Sequence, residues 1–180
     1  MIILETDRLL LRQFTANDHA NLMHVFGDPE VMRFGDGPQS EEWVRAWLKR
    51  CIENYARGRA IGPWAVVERT SNAVIGYCGL FHFPDVCGSP ETELGYRLAR
   101  NAWGKGFATE ACRAVRDHAF NVLGVSRLVS IIDPANSASI RVADKVGMRY
   151  EKEVMFDGYT HPDHVYAISV NSNVNVWNES

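Results

Sequence analysis

Apolar residues recur along this chain at two spacings, every second residue in some segments and every third or fourth in others. Leu9, Leu10 and Leu11 lie in a run from Leu4 to Phe14 that reads as an opening strand, closed by the polar cluster Thr15-Ala16-Asn17-Asp18. Asn17 or Asp18 suits the cap of a short helix through Phe26, and Asp28-Pro29 breaks and restarts the chain toward Phe34. After a Gly35-Asp36-Gly37-Pro38 loop, Ser40 precedes Glu41 and Glu42, acids that favour a helix N-terminus. Val44, Trp47, Leu48, Cys51, Ile52 and Tyr55 follow three and four apart, so an amphipathic helix is expected, ended by Gly58.

Trp64 to Glu68 and Val74 to Phe81 are β-rich and joined by Thr70-Ser71-Asn72, the pattern of an antiparallel hairpin. From Thr92 to Ala99 the residues alternate, with Thr92, Leu94, Tyr96 and Leu98 on one face and Glu93, Gly95 and Arg97 on the other. Gly95 is a candidate bulge. Helical spacing returns at Ala108, Ala111, Cys112, Val115, Ala119, Val122 and Leu123, closed by Gly124. Arg127 to Ile132 reads as a strand, Asn136 to Val146 as a helix with Gly147 as its C-cap, and Arg149 to Met155 and Val165 to Val170 as two late strands around Asp157-Gly158. A mixed α/β sheet is the natural container for this order. Residues 1–170 are expected to form one domain, and the polar tail 171–180 either frays or adds an edge strand.

Composition narrows the picture without naming a chemistry. With 180 residues, 46% of them hydrophobic and 23% charged, the chain has enough apolar matter for a packed core. A net charge of −3 without a long basic run argues against a nucleic-acid or membrane-surface partner. No apolar stretch approaches the roughly 20 residues that cross a bilayer, and the acids in Met1-Ile2-Ile3-Leu4-Glu5-Thr6-Asp7-Arg8 do not suit a secretory leader. Cys51, Cys78, Cys87 and Cys112 are dispersed, without C-x-x-C or a His at metal-ligand spacing. They are expected to be reduced thiols in a cytoplasm, with no metal bound.

The most informative stretch is Tyr96-Arg97-Leu98-Ala99-Arg100-Asn101-Ala102-Trp103-Gly104-Lys105-Gly106-Phe107-Ala108-Thr109. A strand runs through a glycine-spaced turn straight into a helix whose first N–H groups have no intrahelical acceptor. Such a terminus suits an anion, and Arg100 and Lys105 add positive charge beside it. The same glycines also serve a plain tight connection. The loop is neither a Walker A sequence nor a full G-x-G-x-x-G, because Thr109 takes the last glycine position.

The run Asn101-x-x-Gly104-x-Gly106-Phe107-Ala108-Thr109-Glu110-Ala111 resembles the acetyl-CoA loop, Q/R-x-x-G-x-G/A, of the GNAT N-acetyltransferases, with Asn101 as the departure. Glu5-Thr6-Asp7-Arg8-Leu9-Leu10-Leu11-Arg12 is similar to the opening strand of the RimJ/RimL-like subgroup. Asn136-x-x-Ser139-Ile140-Arg141-Val142-x-x-Lys145-Val146-Gly147-Met148 is similar to its N-x-x-S-I-R-V-x-x-K-x-G-F signature, with Met148 for Phe. Three blocks in the right order cover about Leu4 to Val170. The resemblance implies a GNAT-like α/β fold: a mixed, mostly antiparallel sheet of about seven strands flanked by helices and splayed between the fourth and fifth. It also implies acetyl transfer from acetyl-CoA to a primary amine, of a protein N-terminus or a small molecule, by direct attack in a ternary complex. A monomer or homodimer without metal is expected.

By this resemblance Leu98, Ala99, Arg100, Trp103, Gly104, Lys105, Gly106, Phe107, Ala108, Thr109 and Asn136 hold the cofactor. Glu93 is the leading base, with Glu91 as fallback, or else it pairs with Arg97 or anchors the acceptor. An α-amine titrates at about 7.7–8.0 and a lysine at about 10.4, so a base matters more for a lysine-like acceptor. Many members place a Tyr four residues after Ser139, where this chain has Ala143. Ser139 is what the pattern offers near the sulfur. His82 and His118 read as surface or core histidines, and Trp43, Trp47, Phe81 and Tyr96 as core or acceptor-cleft aromatics. An acyl-CoA-binding module without turnover is the alternative reading.

Overall fold

The run expected as one opening strand folds back on itself. In the computed structural model, which describes residues 1–86 and 88–170, β1 (Ile2–Glu5) and β2 (Leu9–Arg12) pair antiparallel around Thr6-Asp7-Arg8. The Thr6 hydroxyl accepts from the Leu9 N–H at 2.9 Å, and Leu9 and Leu11 then face the core, fully buried. Among the described residues the sheet accordingly has eight strands where about seven were expected. The expectations for Cys87 and for the tail 171–180 lie outside the described residues.

A 3₁₀ turn (Ala16–Asp18) leads into α1 (His19–Phe26), followed by α2 (Pro29–Met32) and α3 (Glu41–Ala56). Asp18 does not cap α1. Its buried carboxylate accepts from both Arg12 amino groups at 2.7 Å and from the Thr15 N–H at 2.7 Å, tying β2 to the turn. Asp28 and Ser40 do cap their helices, accepting from Glu30 N at 2.8 Å and Trp43 N at 3.2 Å.

β3 (Pro63–Glu68), β4 (Ala73–Phe83) and β5 (Glu91–Leu98) continue the antiparallel run. The bulge expected at Gly95 falls instead near Gly76, where the β3–β4 register slips between Val66 and Val67. A Cβ on Gly76 would stand 2.1 Å from the Arg97 carbonyl, whereas Gly95 pairs regularly with Gly79 and leaves room for the Phe81 ring. α4 (Phe107–Asn121) then carries the chain over to β6 (Arg127–Ile132), which lies parallel to β5. α5 (Ser137–Val146) ends at Gly147 in a left-handed turn, and β7 (Arg149–Val154) and β8 (Asp163–Ser169) close the sheet in the order β1-β2-β3-β4-β5-β6-β8-β7.

Two larger cores and a smaller one around Val129, Val154 and Val165 hold the layers together. Leu11, Val66, Leu80, Leu94 and Leu98 pack with Phe107, Ala111 and Val115 of α4, while Phe14, Leu22, Phe26, Val44 and Leu48 pack with Ala65 and Val67. At about 1.5–3 kcal/mol for each fully buried Leu or Val, these stripes outweigh any intrinsic helix propensity. Cys51, Cys78 and Cys112 are buried free thiols, with the Cys78 and Cys112 sulfurs 3.8 Å apart. Among the described residues no helix is long and apolar enough to cross a membrane.

Candidate active site

β5 and β6, the one parallel pair among the described residues, share a single backbone pairing, Glu93 with Val129, so the sheet is splayed there. Side chains bridge the gap instead: Ser130 Oγ donates to the Leu94 carbonyl at 2.7 Å, and the Ile131 N–H donates to Glu93 Oε1 at 3.3 Å. A cavity of about 670 Å³ runs along this splay.

At one end the wall is mostly backbone. Gly104 and Gly106 have φ of +75° and +81°, a region costly to side-chain-bearing residues, and Gly106 is the N-cap of α4. No side chain caps that helix, so its first N–H groups remain available. Trp103 Nε1 donates to the Leu98 carbonyl at 2.7 Å, which braces the approach to the loop. From below, Glu110 accepts from the Thr6 hydroxyl at 2.6 Å and from Arg8 N and Nε at 3.0 and 2.7 Å, while Arg8 Nη1 reaches the Lys105 carbonyl at 2.9 Å. The β1–β2 turn thus clamps the glycine loop. Against the upward pull of partial burial, the hydrogen bonds from Thr6 and Arg8 and the Arg8 charge hold the Glu110 carboxyl below its usual range.

Ten of the residues expected at the site line one cavity: Glu93, Leu98, Trp103, Gly104, Gly106, Phe107, Ala108, Thr109, Asn136 and Ser139. Three lie off its wall. Ala99 is buried with its N–H on the Ile75 carbonyl, Arg100 Nε is paired with Asp28 Oδ2 at 2.6 Å, and the Lys105 ammonium lies 6.0 Å from the Phe107 ring.

At the other end the wall is chemical. Burial pushes the Glu93 carboxyl up to about 7, with Asp163 adding to the rise and the Ile131 N–H and Arg97 opposing it. Glu91 is engaged by Arg127 Nε at 3.2 Å. Asn136 Oδ1 accepts from the Ser139 N–H at 3.1 Å, capping α5, and Ser139 Oγ lies 3.2 Å from the Tyr96 hydroxyl. Burial holds that phenol well above its ordinary pKa, so it stays protonated. The sequence shows Ala143 where a tyrosine is common, and Ala143 is buried in α5; a tyrosine hydroxyl arrives instead from β5. Its direction was legible from the alternation that puts Tyr96 with Leu94 and Leu98. Its partner, 43 residues on, was not.

Of the aromatics, Phe81 and Tyr96 line the cavity, while Trp43 and Trp47 pack on Phe26. His82 reaches the cavity wall; His118 lies edge-on to Trp64, its pKa lowered by burial. Asp133, His161 and Asp163 bring their ligand atoms within 4.8 Å of one another, the arrangement among the described residues with the donor set for a cation.

Residues 8–149 match the acetyltransferase (GNAT) domain family. The chain is 36% identical over 152 residues to the uncharacterized protein YkkB of Bacillus subtilis (strain 168), covering 84% of this chain and 87% of that one. It is 30% identical over 165 residues to an uncharacterized N-acetyltransferase, p20, of Bacillus licheniformis, covering 88% of each. A solved RimL, a ribosomal L7/L12 α-N-protein acetyltransferase in complex with coenzyme A, shares the fold with a TM-score of 0.77 over 96% of this chain and 100% of its own, at 19% identity. A mostly antiparallel sheet opened at one parallel pair, a glycine loop at a helix N-terminus beside the opening, and this family match together place the chain in the GNAT family, as an acetyl-CoA-dependent N-acetyltransferase.

Proposed function

We propose that the enzyme transfers acetyl from acetyl-CoA to a primary amine, of a protein N-terminus or a small molecule, by direct attack in a ternary complex, with Glu93 as the base. The observation that carries this reading is the half-buried Glu93 carboxylate on the cavity wall, accepting from the Ile131 N–H at 3.3 Å and pushed up to about 7. A base near the working pH combines a useful ionised fraction with enough basicity to take an ammonium proton. The freed amine attacks the thioester carbon; the C–N bond forms, the C–S bond breaks, the sulfur leaves as a thiolate, and the second proton shed by the acylated nitrogen goes to that thiolate. With a thiol pKa of about 8.5 that leaving group needs only a hydrogen bond. Ser139 supplies it: with its oxygen accepting from the Tyr96 hydroxyl 3.2 Å away, its own proton points into the cavity.

In this reading the N–H groups that open α4, with Gly104 and Gly106, seat the pyrophosphate, and Leu98, Trp103, Phe107, Ala108, Thr109 and Asn136 form the wall of the cofactor channel. Ala99, Arg100 and Lys105 frame the loop from outside it. Transfer needs no metal. The opening block Glu5–Arg12 and the Asn136–Met148 block support a RimJ/RimL-like member, a single domain over residues 1–170 working in the cytoplasm as a monomer or homodimer. An acceptor screen with acetyl-CoA and mass-spectrometric readout tests the reaction. Products acetylated on amines in a Glu93-dependent manner support the reading, and acetylation on hydroxyls or thiols alone would overturn it.

A further inference from the structure

We infer that Ser130 is a positioning residue for the base: its hydroxyl occupies the Leu94 carbonyl in place of the β6 backbone, and so leaves the Ile131 N–H to hold Glu93 Oε1. The inference rests on the reading above in taking Glu93 as the base.

Ser130 stands between Val129 and Ile131 in β6, where a β-branched apolar residue would suit the strand better. What a serine adds there is its hydroxyl, and the fold uses it. Parallel strands pair through evenly spaced, slanted bonds, carbonyls of one strand meeting N–H groups of the next. From Glu93 opposite Val129, a ladder that ran on would bring the Ile131 N–H to the Leu94 carbonyl, yet the pairing stops at that first step. The partners are exchanged instead. The Leu94 carbonyl accepts from Ser130 Oγ at 2.7 Å, and the Ile131 N–H donates to Glu93 Oε1 at 3.3 Å. Consecutive residues of β6 thus grip consecutive residues of β5, one by side chain to backbone and the other by backbone to side chain.

The exchange matters because a partly buried carbonyl left without a donor is costly. Without the hydroxyl, the Leu94 carbonyl takes the nearest N–H, that of Ile131. This draws β6 toward β5 along the cavity that Glu93, Ser130 and Ile131 all line, and it strips the carboxylate of its donor.

Other charges face Glu93 as well. Arg97 on its own strand favours the carboxylate and Asp163 of β8 opposes it, while the phenols of Tyr77 on β4 and Tyr159 in the β7–β8 turn stand within its field, both raised in pKa chiefly by burial. Of these influences the Ile131 N–H is the one that Ser130 governs, and it favours the ionised form.

NMR titration of the full chain without CoA tests this, following the Glu93 carboxyl carbon and the Ile131 amide proton. In wild type the two are expected to titrate together. Ser130→Thr keeps the hydroxyl and should keep that coupling. The isosteric Ser130→Val removes the hydroxyl; it should uncouple the Ile131 amide from Glu93 and raise the proton affinity of Glu93 about threefold or more, about half a pH unit, as the carboxylate loses a donor. Ser130→Ala is the second deletion, for use if Ser130→Val does not fold by its melting curve. An Ile131 amide that still follows Glu93 in a folded deletion variant, or a Glu93 midpoint that does not rise, would overturn the inference. So would a Ser130→Thr protein that behaves as the deletions do, or a lowered melting temperature with neither titration moved, since Ser130 would then only hold the sheet. Kinetics separate this inference from the reading beneath it. If the Glu93 midpoint moves in Ser130→Val while the acid limb of kcat/KM stays, measured with an amine that the acceptor screen returns, the positioning stands and Glu93 is not the base.

Discussion

The two ends of the cavity are built from different materials. The loop end is backbone: two glycines at positive φ, an uncapped helix start, and a clamp of Thr6, Arg8 and Glu110 beneath. The acceptor end is side chain: a half-buried carboxylate at Glu93 and a hydroxyl pair at Tyr96 and Ser139. Backbone donors present the same chemistry whatever residues carry them, so that end is sensitive to added volume and indifferent to most changes of side-chain identity. At the acceptor end a change of one atom, oxygen to nitrogen, alters charge and proton affinity together. The comparison teaches where each kind of substitution should act.

The largest expected effect is at Glu93. Glu93→Gln should lower kcat about 10²–10⁴-fold while acetyl-CoA affinity, set at the other end, stays near wild type. Wild-type kcat/KM should rise through about pH 7 as Glu93 ionises, and the deficit of the variant should shrink at high pH, where the amine loses its proton unaided. A raised KM with intact kcat would make Glu93 an anchor for the acceptor's charge.

The same substitution should stabilise the fold. The folded Glu93 carboxyl, at about 7, keeps a proton that the unfolded chain releases near its ordinary 4.5, so wild type loses stability as pH rises between those values. The full difference is about 3 kcal/mol above pH 7. Glu93→Gln should therefore melt higher than wild type at pH 8, with the gap closing at pH 4, a comparison that thermal denaturation at the two pH values decides.

At the loop end, Gly106→Val should weaken CoA binding about tenfold or more by calorimetry. A branched side chain is strained at φ +81° by about 1–2 kcal/mol, and its Cβ lies 3.4 Å from the Arg8 guanidinium that braces the loop. The glycine is solvent-facing enough for the fold to survive. Unchanged affinity in a folded variant would reduce the loop to a connection.

The smallest effect belongs to the hydroxyl pair. Ser139→Ala and Tyr96→Phe should each lower kcat less than about tenfold, since a thiolate is a tolerable leaving group. The double variant should be no slower than the slower single one, because both act on one hydrogen bond. Additive losses would show two independent roles.

Much of this was legible before folding. The helix starts at Ser40 and Asn136, the C-cap at Gly147, the glycine loop and the alternation that separates Glu93 from Tyr96 all rest on contacts within a few residues, which spacing alone reports. The misses share a cause. The opening run divided because Leu9 and Leu11 bury fully once the Thr6 turn forms, and the bulge fell at Gly76 because the Arg97 carbonyl of the neighbouring strand leaves no room for a Cβ. Neither neighbour can be seen from the local sequence.

By itself, the sequence determined the elements, their caps, the anion-ready loop and the residue types from which the site is made, because those follow from short-range geometry and composition. Only the tertiary structure decided which of them meet: Thr6 with Glu110 across 104 residues, Tyr96 with Ser139 across 43, Glu93 with the Ile131 N–H across 38. Burial, too, belongs to the assembled molecule. The rise of Glu93 to about 7 comes from the removal of water by packed neighbours, and no one segment of chain carries that information.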